Sequence, residues 1–170
     1  MKLEKDLHRI IRKNVHIRRG TTMRIVDRFS RIVLSKCYRG IYLADEVPSN
    51  LRKRKNFCII VNLSASLDPP SGIGHFVAIY ARPDYVIYLD PLGMRCYQSD
   101  LSTFLTGCKR IVTFNTTRVQ HVLSMYCPLY CILFLLHLEK KPQWKMNFFK
   151  TKQIKNDKKC TYYINKLMDE

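Results

Sequence analysis

Acidic residues are scarce: 13 Asp and Glu stand against 30 Lys and Arg, leaving a net charge of +17. A charge of that size attracts polyanions, with nucleic acid the first expectation and an acidic membrane surface the second. Long hydrophobic runs are also missing. The longest, Cys131 to Leu136, is far shorter than the roughly 20 residues that cross a bilayer. The opening residues, Met1 to Arg9, are too charged for a signal peptide, so a soluble, unsecreted, intracellular protein is expected. Glycine is sparse at six residues, and no Gly/Ser linker or internal repeat breaks the chain. Seven cysteines (37, 58, 96, 108, 127, 131 and 160) are odd in number and irregular in spacing, which fits free thiols in a reducing compartment better than a disulfide framework. What remains is the composition of a packed protein: 170 residues, 46% hydrophobic and 25% charged, the size of one domain and not of a rod or a disordered tail.

The charge is unevenly placed. Residues 1–55 hold 16 basic and 5 acidic side chains, residues 56–138 hold 5 and 4, and residues 139–170 hold 9 and 4. A nearly neutral core thus lies between a basic N-terminal helical arm (1–55) and a basic C-terminal segment (139–170). In the first arm Met23, Val26, Phe29 and Val33 recur at helical spacing, with Arg24, Arg28 and Arg31 on the other side, which predicts an amphipathic helix. The run Leu51 to Lys55 and the stretch Asp68 to Gly74 read as exposed loops. Phe57–Asn62, His75–Tyr80 and Tyr85–Leu89 are rich in β-branched and aromatic residues, the last two joined by Arg82-Pro83-Asp84 as a hairpin, so an antiparallel sheet is expected. Ser99 or Asp100 can cap a helix through Leu105, and Arg110–Phe114 supplies a further strand. Cys127–Leu138 is apolar all round and predicts a buried helix. An antiparallel sheet packed against a buried central helix gives an α+β domain.

A cysteine nucleophile needs a base within reach, a group to orient that base, and donors for the oxyanion. The neutral core offers candidates for each. His75 opens one strand and Asp90 ends the next, so a hairpin can bring imidazole and carboxylate together. Cys127 begins the buried helix, where unpaired N–H groups and the dipole favour a thiolate. Gln120 carries an amide that can donate to an oxyanion alongside the Cys127 N–H. Cys131, one turn further into the apolar run, reads as packing, and His121 and His137 as ordinary polar residues. Cys127, Cys131 and His137 lack the spacing of a zinc site and a fourth ligand, so no metal is expected.

In this order the residues resemble the adenovirus protease (adenain) family, papain-like viral cysteine endopeptidases, over roughly Gly40 to Leu138. Gly74–Ala81 looks like that family's strand bearing the catalytic histidine. Tyr88-Leu-Asp-Pro-Leu-Gly93 is similar to its Leu-x-Glu-Pro-x-Gly segment, and Gln120 and Cys127 reproduce its Gln-x6-Cys spacing. Leu129–Phe134 continues like its buried helix, and Arg39–Tyr42 resembles its Gly-x-Tyr segment. The chain differs in Pro128, where the family has Gly after the nucleophile, and in Tyr126 before it. Proline leaves the Cys127 N–H intact but biases Cys127 towards extended angles.

The resemblance implies an adenain-like cysteine protease fold and a His75–Asp90–Cys127 triad with Gln120 at the oxyanion. It implies cleavage of viral precursor proteins at Gly-containing motifs during virion maturation, in the host nucleus and virion. It further implies stimulation by DNA and by a short activating peptide, with Cys108 near the position of the family's peptide-linking cysteine. Arg52, Lys53, Arg54 and Lys55 are the candidate DNA contacts, without base specificity. Two alternatives stay open: a deconjugating protease for ubiquitin-like modifiers, whose family shares the residue order, and an inactive basic DNA-binding scaffold.

Overall fold

A computed structural model describes residues 19–64, 74–140, 149 and 152–169, with side chains over 23–64, 74–140, 149 and 152–167. The expected arm before residue 19 and the Asp68-Pro-Pro-Ser-Gly-Ile stretch lie outside the described residues.

The elements follow in the order α1 (Arg19–Val33), β1 (Tyr38–Leu43), a 3₁₀ turn (Ser49–Lys53), β2 (Phe57–Asn62), β3 (Phe76–Ala81), β4 (Tyr85–Leu89), α2 (Ser99–Gly107), β5 (Ile111–Phe114), α3 (Cys127–Lys140) and α4 (Gln153–Asp169). The strands form one sheet in sequence order, β1-β2-β3-β4-β5. Its centre is antiparallel as expected, with Ile59 opposite Ile79 and Ala78 opposite Leu89. Its two edges are not: β1 runs parallel to β2 and β5 parallel to β4. The sheet is therefore mixed, because the 3₁₀ turn and α2 each carry the chain back across the sheet, as a parallel neighbour requires.

Both faces are covered. Cys58, Ile60, Phe76, Ala78, Tyr80 and Leu89 face α1, α3 and α4, while Phe57, Ile59, Val61, Val77, Ile79, Val86 and Tyr88 face Leu51, Leu101, Phe104 and Leu105. This explains why β2 and β3 read as unbroken apolar runs: alternate side chains enter different cores. Helix α3 lies between sheet and outer helices, burying Cys127–Leu135 and Leu138, so no polar stripe is needed. In α1 Ile25, Val26 and Phe29 are buried, whereas Ile32 points to solvent.

Two local expectations change. The side chain of Gln98, not of Ser99 or Asp100, caps α2 by accepting from Leu101 N at 2.9 Å. The basic run is not a free loop: Leu51 is buried, the Arg52 guanidinium lies 5.4 Å from the centre of the Phe104 ring, and Arg110 donates to the carbonyls of Arg52, Arg54 and Lys55. Lys53, Arg54 and Lys55 remain exposed.

Candidate active site

Antiparallel pairing of β3 with β4 sets the start of one strand beside the end of the other. His75 and Asp90 therefore lie at the same end of the sheet, and the ladder continues one step past β2 through Leu63 N donating to His75 O at 2.8 Å. The imidazole Nε2 lies 2.7 Å from Asp90 Oδ1. Asp90 is fully buried and the His75 side chain is 16% exposed, so this contact is shielded from water.

Three features fix the carboxylate. Leu92 N donates to the same Oδ1 at 2.7 Å. Asn115, just past β5, clasps the Asp90 backbone: Asp90 N donates to its Oδ1 and its Nδ2 donates to Asp90 O, both at 2.6 Å. The turn at Gly93 has a φ of 70° and lies so close to Thr116–Arg118 that a Cβ would meet their backbone. Asn115 was not singled out in the sequence, because an asparagine after a strand carries no signal until the parallel β4–β5 pairing brings it to Asp90.

With Nε2 bound to a carboxylate, that nitrogen carries the ring proton and Nδ1 is left for a second partner. Cys127 is the second group whose proximity acts on the imidazole. Burial pulls the His75 pKa down, but the hydrogen bond to Asp90, the proximity of Cys127 and the charges of both outweigh it, raising the value to about 9.

Cys127 is 5% exposed in the first turn of α3. Leu129 N and Tyr130 N both donate to Tyr126 O, at 2.9 and 3.0 Å, so Tyr126 is the cap residue and Cys127 occupies the first position of the helix. Pro128 falls in the first turn, where an N–H would have had no intrahelical partner, and Cys127 belongs to the helix despite the following proline. A helix N-terminus and an adjacent imidazolium are the surroundings in which thiols act as nucleophiles. Cys131, fully buried one turn on, is different: burial pushes its thiol well up, as packing residues require.

Gln120 is 2% exposed. Its N–H and that of Val119 donate to Pro91 O at 3.0 and 2.9 Å, tying it to the residue after Asp90. Its Nε2 donates to Ser124 O at 2.7 Å, within the loop leading to Cys127, while its buried Oε1 has no hydrogen-bond partner among the described residues.

The other candidates lie elsewhere. Cys108 is buried at the end of α2, its Sγ donating to Phe104 O at 3.5 Å, and burial raises its pKa. A disulfide to a separate peptide would need that thiol to leave its pocket. Arg52 and Lys53 end the 3₁₀ turn and Arg54 and Lys55 lead from it to β2, on the sheet face opposite α3. No described helix is long and apolar enough to cross a membrane.

No protein-family model matches the chain, and no curated protein matches its sequence. Solved structures do match. The Chlamydia abortus effector protein ChlaDUB aligns with a TM-score of 0.52 at 13% identity, over 67% of this chain and 57% of that one. The central domain of the uncharacterized Lpg1148 protein from Legionella pneumophila aligns with a TM-score of 0.48 at 12% identity, over 85% and 97% of the two chains. AvrA delL154 with IP6 and CoA aligns at 0.49 and 11%, over 91% and 64%. The chain spans 57% of the length of ChlaDUB. At 13% identity the likeness to ChlaDUB is one of fold alone, a mixed sheet covered by helices.

Proposed function

We propose that this protein is a cysteine protease that cleaves peptide bonds through a covalent acyl-enzyme. The observation that carries the reading is the 2.7 Å contact of His75 Nε2 with buried Asp90, made by an imidazole whose pKa is raised in part by Cys127 at a helix N-terminus. Cys127 Sγ attacks the scissile carbonyl carbon and the carbonyl electrons move to oxygen. The Cys127 N–H and the second N–H of Gln120 steady that oxyanion. The C–N bond breaks, His75 Nδ1 gives its proton to the departing amine, and a thioester remains. His75 then takes a proton from water, which attacks the thioester and releases the acid. Asp90 holds the ring so that Nδ1 faces sulfur throughout.

By the adenain resemblance the substrates are precursor proteins cut at Gly-containing motifs during virion maturation, and the charge of +17 supports DNA as a non-specific activator. The fold likeness to ChlaDUB equally supports a second reading, removal of a ubiquitin-like modifier. Cys127→Ala should abolish cleavage of a Gly-Gly peptide coumarin while the melting temperature is kept; activity surviving it would refute the assignment. Labelling of Cys127 by a ubiquitin-like protein with an electrophilic C-terminus would decide for the second reading, and cleavage of Gly-Gly peptides without such labelling for the first.

A further inference from the structure

The fourth and fifth residues of α4 are two polar side chains buried side by side, Asn156 fully and Asp157 to 8% exposure, in a helix otherwise studded with lysine. Burying an amide and a carboxylate is costly unless both are bonded. Both are, and their partners flank one residue. Asn156 Nδ2 donates to Val119 O at 3.0 Å. Asp157 Oδ1 accepts from His121 N at 3.3 Å and from the Tyr130 hydroxyl, one turn into α3, at 2.8 Å.

The peptides before and after Gln120 are thus held by α4, its own N–H by Pro91 O, and its amide by Ser124 O. We infer that Asn156 and Asp157 are positioning residues of the acyl-transfer site, through which α4 sets the place of Gln120 relative to Cys127. This rests on the protease reading above and adds a dependence on a segment that lies outside the sheet and the buried helix. Tyr130 links the two: it belongs to α3, three residues beyond Cys127, and anchors the same Asp157 that holds the Gln120 segment.

Two small reagents separate this role from a structural one. Iodoacetamide alkylates Cys127 by displacing iodide and forms no oxyanion, whereas p-nitrophenyl acetate acylates it through an oxyanion and releases p-nitrophenol in a burst. The ratio of acylation to alkylation rates therefore reads oxyanion stabilisation alone. In the full chain, Asn156→Leu should lower that ratio about 10-fold with alkylation unchanged, because small misplacements of a stabilising group are expensive in rate. Gln120→Ala should lower it at least as far. An unchanged ratio in Asn156→Leu while Gln120→Ala lowers it overturns the proposal, as does a parallel fall in both rates, which marks a merely structural role. A ratio unmoved by Gln120→Ala overturns the oxyanion assignment and this proposal with it, while slow alkylation of wild-type Cys127 that does not depend on His75 refutes the protease reading itself. Should Asn156→Leu fail to fold, Asn156→Asp, which sets a carboxylate oxygen against Val119 O, reads the same ratio.

Discussion

Asp90→Asn removes a charge and keeps an oxygen. Both Leu92 N–H and His75 Nε2–H point at Oδ1, at 2.7 Å each, so the amide oxygen of an asparagine is held in place by two donors. Its nitrogen then takes the site of Oδ2, which is buried without a partner among the described residues, so one unpaired atom replaces another and the fold should persist. The His75 tautomer is preserved and only the charge assistance disappears. A hydrogen bond to a charged group contributes about 1.5–3 kcal/mol against about 0.5–1.5 for a neutral one. The imidazolium thus loses roughly 1.4 kcal/mol, about one pKa unit. From its value of about 9, His75 should move down by that much, and the acylation burst at neutral pH should slow about 10-fold. Asp90→Ala removes the bond itself, leaves burial less opposed, and should cost about 100-fold or more. Following the His75 ring protons by NMR while measuring burst rates across the same pH range checks both. An unshifted titration in Asp90→Asn, or acylation at the wild-type rate in Asp90→Ala, would refute the reasoning. Linkage supplies a second test with a fixed sign. Because the folded value of about 9 exceeds the ordinary 6.5, the stabilisation is fully present below about pH 6.5 and lost as pH rises through 9. The melting temperature should fall across that window, and less steeply in Asp90→Asn.

Two further changes test how the proposed triad is held. Gly74, directly before His75, has a φ of 68°, and a Cβ there would meet Asn62 Oδ1 and Ser64 Oγ. Gly74→Ala should therefore displace His75, destabilise the fold by about 1–3 kcal/mol and slow acylation, measured by denaturant unfolding and burst kinetics. Asn115→Ala removes both clasping bonds to the Asp90 backbone and leaves a buried N–H and C=O unpaired. It should cost about 1–3 kcal/mol and lower the His75 pKa, and stability within 0.5 kcal/mol of wild type (about the scatter of a neutral surface change) would show that the clasp is dispensable.

The central hairpin and the buried helix were legible because each is set by local pattern. Tyr85–Leu89 is a short run of β-branched and aromatic residues, Cys127–Leu138 is apolar all round, and the short turn at Arg82 to Asp84 allows no partner but its own two strands. The parallel edges were not legible. Tyr38–Leu43 follows α1 with no turn signature, and pairing of β1 with β2 depends on packing across the 3₁₀ turn rather than on either sequence. Helix α4 was read only as a basic tail, since its lysines dominate the composition while Asn156, Cys160 and Ile164 carry the buried face. Proline after Cys127 looked like an obstacle; as the second residue of the helix it removes an N–H that the first turn leaves unpaired in any case.

The candidate residues divide by what fixes them, and that division explains which could be read in advance. His75 and Asp90 are placed by strand register, a property of the hairpin alone, and their meeting was deducible from two short segments. Gln120 belongs to no element. Its position depends on Pro91, Ser124, Asn156 and Asp157, drawn from a turn, its own loop and a helix more than thirty residues away. No local pattern encodes such a convergence, and only its spacing to Cys127 hinted at it. The proposed nucleophile and base rest on the sheet and buried helix, while the proposed oxyanion donor rests on a junction of loops clamped by α4. Loss of that clamp should therefore spare thiol reactivity and cost acyl transfer, which makes the C-terminal helix the part of the fold where nucleophile activation and catalysis come apart.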